Sequence, residues 1–195
     1  RISNQLGSGQ AIADITGIKT VFDFRSKDVA LGGQGAPLVP IGDLLLFSSY
    51  EACINLGGFS NISFEKDLAR RAFDICPVNI IMNPIAEKMG KPFDKNGDFA
   101  RSGAVDNRLL SDLNEMMTVF RLSRPSLSRE WVEQNVDPLI RKKAKPKDCL
   151  RTLVEFAAEE MAGVLNQHKL KSALVTGGGV FNSFLIERLM SKTKC

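Results

Sequence analysis

The segment from Asp23 to Pro40 places charged side chains directly beside glycines, a combination that could carry out acid–base chemistry on a bound ligand. Glycines let backbone N–H groups approach a ligand closely, and a carboxylate at the lip of such a loop is well placed to act as a general base. The segment contains two aspartates, Asp23 and Asp28, and Gly33 and Gly35 follow Asp28 within seven residues. A surface loop with an incidental aspartate accounts for these residues equally well, so the pattern alone leaves both interpretations open.

Two further glycine clusters follow strand-like segments and could hold a phosphate group. Gly57 and Gly58 separate two apolar runs and predict a β-hairpin. Its turn could bind a phosphate through backbone N–H groups, although an ordinary hairpin is the simpler interpretation. The run Gly177–Gly179 follows a predicted buried strand and precedes a predicted helix that begins near Asn182. This context is typical of nucleotide binding at a helix N-terminus, so the second cluster is the stronger signal.

The segments that would position these clusters have strand-like and helical patterns. β-branched and aromatic residues or continuous apolar runs mark the strands, and apolar residues at helical spacing mark the helices. Predicted strands cover residues 19–24, 47–56, 61–64, 70–74 and 172–176. Predicted helices cover residues 11–15, 79–89, 102–122 and 148–168, with a last helix from about residue 182. Strands first, then helices, then a strand that leads into a glycine turn indicate a mixed α/β chain.

The composition indicates a globular protein of a reducing compartment. The chain of 195 residues is 44% hydrophobic and 25% charged, values that argue against disorder and against a disulfide scaffold. Its four cysteines form no CxxC pair and have no histidine nearby, so neither a zinc site nor a disulfide framework is indicated. No segment approaches the roughly 18 consecutive apolar residues of a membrane span, and no signal-peptide pattern stands at the start. We therefore expect a cytoplasmic protein without a membrane segment.

Several residues that could suggest other functions are better explained by structural roles. The basic cluster between Pro138 and Pro146 lacks the interleaved aromatic residues of nucleic-acid-binding surfaces, so we expect a solvated loop there. His168, the single histidine, ends a predicted helix and is expected to cap it. Trp131 is expected to pack a helix against the core. Residues 94–98 are similar to part of a calcium loop but lack its twelfth-position glutamate, so we expect a turn.

Four motifs together resemble the anhydro-N-acetylmuramic acid kinases, and they occur in the order of that family. They read DFRSKDVALGGQGAPLVP, NLGGFSNIS, PFDKNGDFARSG and TGGGVFNSFLIERL. The first motif is long and specific, whereas the others alone indicate only the wider superfamily of actin, hexokinase and Hsp70-like ATPases. The resemblance implies an α/β actin-like (ribonuclease H-like) ATPase fold. It assigns residues 1–46 to the end of a first lobe with the catalytic loop, and residues 47–195 to a truncated second lobe on the nucleotide side.

The resemblance also implies an activity. The family uses ATP and Mg²⁺ to open the internal bond of 1,6-anhydro-N-acetylmuramic acid with water and to phosphorylate O6, which recycles cell-wall sugar. Asp28 would be the base that activates the water. The implied substrate-binding residues are Gly33, Gln34 and Gly35, and the implied nucleotide-binding residues are Gly57, Gly58, Gly177, Gly178, Gly179 and Asn182. The expected partners are the amino sugar and ATP, with a homodimer as the possible assembly and no nucleic acid or membrane.

The chain departs from the family pattern at several positions. Cys76 and Val78 replace two glycines of a DTGPGN-type element, and Asn83 stands where many relatives have aspartate. The family's first phosphate loop would precede Arg1, and a further helical segment would follow Cys195, so the chain alone is not expected to turn over substrate. A kinase for another sugar and a non-catalytic nucleotide- or sugar-binding module are the alternatives.

Overall fold

The structure is a computed structural model that describes residues 7–33, 35, 38–140 and 145–195. Internal contacts divide the chain into two units, Arg1–Val39 and Pro40–Cys195. The helices are α1 (Gly9–Thr16), α2 (Phe24–Ala30), α3 (Pro40–Leu46), α4 (Asn79–Lys88), α5 (Asp98–Arg101), α6 (Asn107–Ser123), α7 (Arg129–Asn135), α8 (Asp137–Ile140), α9 (Pro146–Gln167) and α10 (Ser183–Lys192). The strands are β1 (Ala52–Leu56), β2 (Phe59–Lys66), β3 (Ala69–Pro77) and β4 (Ala173–Thr176). Short 3-10 turns cover Lys95–Gly97 and Gly178–Phe181.

The α/β class predicted from the sequence is confirmed, whereas the predicted lobe boundary at residues 46 and 47 stays a prediction.

The first unit contains two short helices. Ser8 caps α1 by accepting a hydrogen bond from the N–H of Ala11, and Gly17 ends the helix in the left-handed conformation. The strand predicted over residues 19–24 is wrong, because residues 17–23 are irregular and α2 begins at Phe24. A strand is stable only when neighbouring strands accept and donate its backbone hydrogen bonds, and no partner strand exists among the described residues 7–39.

The second unit is built on a four-stranded sheet in the order β3-β2-β1-β4. β1, β2 and β3 pair antiparallel, which confirms the predicted hairpin and its third strand. β4 pairs with β1 in parallel, so the last strand returns to the same sheet after the helical segment. β1 begins at Ala52 rather than at residue 47, because residues 40–46 form α3 and residues 48–51 turn.

One face of the sheet and the helices enclose the hydrophobic core. Ala52, Ile54 and Leu56 alternate along β1 and are fully buried against it. α9 supplies the largest helical share, and its buried Phe156 alone stabilises the fold by about 1.5–3 kcal/mol relative to an exposed side chain. α9 contacts α4, α5, α6 and α10. The core therefore fixes the helices and the sheet of this unit in one arrangement.

A buried carboxylate links α9 to α10. The side chain of Glu155 is 5% exposed and forms ion pairs with Arg151 at 3.1 Å, with Arg188 at 2.7 Å and with Lys192 at 3.1 Å. Burial alone would raise the pKa of Glu155, but hydrogen bonds and charge from Arg188 and Lys192 outweigh it and lower the pKa. The ionised carboxylate therefore holds α10 against α9.

The predicted helices are confirmed, but their first and last residues differ from the predicted ones by up to five positions. α6 starts at Asn107 instead of residue 102, because Asp106 caps it by accepting the N–H groups of Arg108 and Leu109. His168 follows the last residue of α9 as its cap, as predicted. Trp131 packs against Phe120 with their ring centroids 5.6 Å apart, also as predicted.

Residues 94–98 form a turn, as predicted, and the Asp94 carboxylate accepts the N–H groups of Phe99 and Ala100. Most of the basic cluster, residues 141–144, lies outside the described residues. Across the part of the chain that the structure describes, no helix is both long and apolar enough to cross a membrane. Likewise, within the described ranges, no group of three or more His, Cys, Asp or Glu side chains is arranged to hold a metal ion.

Candidate functional site

The two glycine clusters of the second unit meet at one edge of the sheet. β1 and β4 are parallel neighbours, and Asn55 lies opposite Thr176 near their carboxyl ends. Gly57–Gly58 follows β1 almost directly, and Gly177–Gly179 follows β4 directly. Because neighbouring parallel strands end at the same edge, both turns project from that edge, where open α/β sheets bind their ligands. The structure thus brings together two of the predicted nucleotide-binding segments, which are about 120 residues apart in the sequence.

Gly177 allows the second glycine turn to lie close to the end of β1. Its φ of 86° is in the left-handed region, and an added Cβ would lie 2.5 Å from Asn55 Oδ1 and 2.7 Å from the carbonyl oxygen of Leu56. A Cβ at Gly179 would lie 2.8 Å from the Cβ of Leu56. Any side chain at Gly177, and to a lesser degree at Gly179, would push the second turn away from the end of β1.

Gly178 has a different environment from its two neighbours. No heavy atom of the described residues lies within 4 Å of the position that its Cβ would occupy, and its φ is not in the left-handed region. Gly57 and Gly58 differ from it, since protein atoms lie at ordinary contact distances of 3.5 and 3.7 Å from their Cβ positions. Open space for a ligand is therefore found beside Gly178.

The carbonyl groups of the first turn point at the start of α4. Gly58 O accepts the N–H of Val78 at 2.8 Å and the N–H of Ile80 at 3.1 Å, and Gly57 O accepts the N–H of Asn79 at 3.4 Å. In a planar trans peptide the carbonyl of one residue and the N–H of the next point in opposite directions. Since Gly57 O faces α4, the N–H of Gly58 faces away from α4, as phosphate binding requires.

Two asparagines at this site were not among the predicted site residues. Asn79 Nδ2 donates to Gly57 O at 2.7 Å, and the exposed side chain of Asn55 lies between the two turns, against Gly57 and Gly177. Asn55 belongs to the NLGGFSNIS motif and Asn79 to the DTGPGN-type element, but neither motif distinguishes its asparagine from the neighbouring residues. Strand alternation could have indicated Asn55, because Ile54 and Leu56 on either side of it face the core.

Asn182 lies at the start of α10. Its Oδ1 accepts the N–H of Leu185 at 3.0 Å, which makes Asn182 the N-cap of that helix. The side chain therefore fixes the helix that follows the second turn. A direct contact between Asn182 and a nucleotide stays a prediction.

The two residues that replace family glycines face the core. Cys76 and Val78 are both fully buried, and Ser60 Oγ lies 3.3 Å from Cys76 Sγ. Burial raises the pKa of the Cys76 thiol to about 12, so the thiol stays protonated at neutral pH. Their side chains are therefore part of the hydrophobic core. Asn83, which stands where many relatives have aspartate, is half-buried on α4. Nothing in the structure explains this substitution.

The first unit carries the predicted base. Asp28 lies on α2, and its Oδ2 accepts the N–H of Gly35 at 2.8 Å, while its backbone oxygen accepts the N–H of Gly33 at 2.8 Å. A Cβ on Gly33 would overlap the Asp28 carboxylate. The structure thus brings together three of the predicted residues, Asp28, Gly33 and Gly35. Gln34, the fourth residue of this predicted group, lies outside the described residues.

The comparisons with known proteins agree with these motifs. A profile of the anhydro-N-acetylmuramic acid kinase family matches residues 1–194. The chain is 42% identical over 204 aligned positions to an anhydro-N-acetylmuramic acid kinase of Aliivibrio fischeri, covering 95% of this chain and 53% of that protein. It is 41% identical to one of Pasteurella multocida, covering 95% of this chain and 52% of that protein.

Among solved structures, the chain is similar to the activator of the 2-hydroxyisocaproyl-CoA dehydratase from Clostridium difficile with bound ADPNP. That similarity has 14% identity and a TM-score of 0.48, and it covers 77% of this chain and 54% of the other. The chain spans about half the length of the curated relatives it matches. From the profile match over nearly the whole chain, we conclude that the chain belongs to the anhydro-N-acetylmuramic acid kinase family.

Proposed function

We propose that this chain supplies the nucleotide-side turns and the catalytic base of an ATP-dependent anhydro-N-acetylmuramic acid kinase with an actin-like fold. The full-length protein would open the internal bond of 1,6-anhydro-N-acetylmuramic acid with water and phosphorylate O6, giving N-acetylmuramic acid 6-phosphate and ADP. Family membership supports the reaction. The observation that carries the proposal is the meeting of the two glycine turns at one sheet edge through Gly177.

The turns offer groups suited to the phosphates of ATP. The N–H of Gly58 faces the open side, and Gly178 leaves room for a ligand beside the second turn. The first N–H groups of a helical turn have no partner within it, so the 3-10 turn Gly178–Phe181 presents donors at the same edge. Asn55, exposed between the turns, would add a side-chain amide.

Asp28 would act on the sugar. In the proposed step its carboxylate takes a proton from water as the water oxygen bonds to the anomeric carbon, and the bond from that carbon to O6 breaks. O6 then accepts the γ-phosphoryl group, and ADP leaves. The hydrogen bond from Gly35 to Asp28 Oδ2 orients the carboxylate, and Oδ1 receives no hydrogen bond within the described residues. Oδ1 is therefore the proposed proton acceptor.

Mg²⁺ would neutralise charge on the ATP phosphates when bound. Mg²⁺ sites in kinases often use one or two carboxylates together with substrate phosphates. A cytoplasmic location and a homodimer also belong to the proposal.

A non-catalytic binding module is the alternative. Two substituted glycines favoured it, since Cys76 and Val78 would keep the backbone of their loop away from a ligand. Both side chains are buried in the core instead, so the two substitutions do not favour the module. Family membership favours the kinase.

Product analysis in oxygen-18 water tests the reaction. The full-length protein is incubated with ATP, Mg²⁺ and the anhydro-sugar, and the product is measured by mass spectrometry. We expect one phosphoryl group on O6 and one heavy oxygen on the anomeric carbon, because water supplies that oxygen. Phosphorylated sugar without heavy oxygen would contradict water attack, and absence of ATP-dependent product would contradict the kinase assignment.

A further inference from the structure

Asn79 is bonded to the first glycine turn and lies beside the second. Its Nδ2 donates to Gly57 O at 2.7 Å and to Leu56 O at 3.4 Å. The same nitrogen lies 3.3 Å from the position that a Cβ on Gly179 would occupy. One side-chain amide therefore bonds to the end of β1 and to the turn that follows it, close to Gly179 of the other turn.

The backbone of Asn79 is held in place by helix α4. It is the first residue of α4, and Val78 before it provides no side-chain cap for the helix. The first N–H groups of α4 use the turn carbonyls instead, as described above, so the turn replaces the usual cap. The first turn of α4 also places Ile81 and Met82 in the core. The hydrogen bonds of Asn79 thus fasten the glycine turn to a helix that the core holds in place.

We propose that Asn79 is a positioning residue that sets the orientation of the peptide between Gly57 and Gly58, and through it the direction of the Gly58 N–H. Glycine rotates easily about φ and ψ, so this peptide has little conformational preference of its own. When Nδ2 holds Gly57 O toward α4, the N–H of Gly58 must face the open side. Asn79 uses its amide on backbone oxygens and does not itself touch the nucleotide. This inference rests on the proposed function, since it assigns the turn to ATP.

Two variants of Asn79 in the full-length protein separate orientation from simple loss of packing. Asn79→Asp keeps the size of the side chain but replaces the donating amide by a carboxylate that only accepts hydrogen bonds. Asn79→Ser is milder, because it keeps a shorter donor. Asn166→Ala is the matched control, since Asn166 Nδ2 joins α9 to the Lys192 carbonyl at 3.0 Å and touches neither turn.

The readouts are the Kd for ADP by calorimetry and the KM values for ATP and for the anhydro-sugar. For Asn79→Asp we expect the Kd for ADP and the KM for ATP to rise about three- to tenfold, as loss of one hydrogen bond predicts. Asn79→Ser should give a smaller rise, and the KM for sugar should stay within about twofold in both variants. Asn166→Ala should change none of these constants. Loss of folded protein alone lowers kcat and leaves KM unchanged, so it does not imitate the expected result.

Hydrogen exchange without nucleotide measures the turn itself. In the Asn79 variants the amides of Val78 and Ile80 should exchange faster than in the wild type, while those of α9 stay protected. Unchanged ADP affinity in a folded Asn79→Asp, or unchanged exchange at Val78 and Ile80 in both variants, would overturn the positioning role. A wild-type protein that binds ADP but does not phosphorylate the sugar contradicts the proposed reaction and leaves this role supported.

Discussion

The two units of the chain differ in the interactions that stabilise each of them. In residues 40–195 a continuous hydrophobic core joins the sheet to the helices. Among the described residues of the first unit, Gly35 alone is buried, and Ile15 and Leu31 are 84% and 79% exposed. The glycine turns stand on the packed unit, whereas the Asp28 loop is held by local hydrogen bonds. The comparison teaches that one chain can fix its ligand-binding turns by packing and its proposed base by a few backbone contacts.

The largest expected effect is the fall in kcat on substitution of Asp28 in the first unit. Asp28→Asn in the full-length protein keeps the shape of the side chain but removes the base, so kcat should fall at least about a hundredfold. The Kd for ADP should not change, because the proposed scheme assigns Asp28 to the sugar and not to the nucleotide. Steady-state kinetics and calorimetry measure the two quantities. Turnover close to that of the wild type would remove Asp28 from the mechanism.

Truncation of one apolar side chain in each unit sharpens the contrast in packing. Leu153→Ala on α9 should lower the free energy of unfolding by about 2–5 kcal/mol, because Leu153 is fully buried. Ile15→Ala on α1 should change it by less than about 0.5 kcal/mol, since Ile15 is mostly exposed. Urea denaturation of the 195-residue chain measures both. Equal losses of stability would show that Ile15 is as well packed as Leu153.

A smaller effect is expected at the ion pairs of α9 and α10. Glu155→Gln should lower the free energy of unfolding by about 2 kcal/mol at neutral pH, because it leaves Arg188 and Lys192 without their buried partner. The folded pKa of Glu155 is lowered, so its contribution is present above the unfolded pKa and is lost as the pH falls through the folded value.

Thermal unfolding between neutral pH and about pH 3 measures this contribution, since an unfolded glutamate titrates near pH 4.3. The difference between wild type and Glu155→Gln should narrow in that acidic range. Glu159→Gln is the matched control, because Glu159 is more exposed and Lys192 is its one ion-pair partner among the residues that the structure describes. An acid dependence that is the same in wild type and Glu155→Gln would exclude Glu155 as its source.

The sequence was sufficient for the parts of the fold that depend on local patterns. The apolar runs on either side of Gly57 and Gly58 predicted the hairpin, and the apolar run of β4 with the glycines after it predicted the last strand and the helix beyond. Residues 19–24 were misassigned because β-propensity without a partner strand does not form a strand. The parallel pairing of β1 with β4 was not predicted, although it is what brings the glycine clusters together.

The role of Asn79 could not have been predicted from local patterns either. Its side chain bonds to a carbonyl 22 residues earlier in the sequence, and that contact exists only once α4 has packed behind the hairpin. Asn182 is a different case, because the N–H that it accepts lies only three residues further along the sequence, and the preference of asparagine for N-cap positions could have indicated this role. The resemblance instead assigned Asn182 to the nucleotide.

The most direct test of the account is nucleotide binding by Gly178→Val in the full-length protein. Gly178 has open space beside it and an ordinary φ, so valine should leave the fold intact but occupy the room that ATP needs. Gly163→Val on α9 is the matched control, because Gly163 also has open space at its Cβ position and lies away from both turns. We expect Gly178→Val to raise the KM for ATP and the Kd for ADP strongly, with little change in the KM for sugar or in Tm, and Gly163→Val to change neither affinity. A folded Gly178→Val that keeps its ADP affinity but loses affinity for the sugar would contradict the assignment of the glycine turns to the nucleotide.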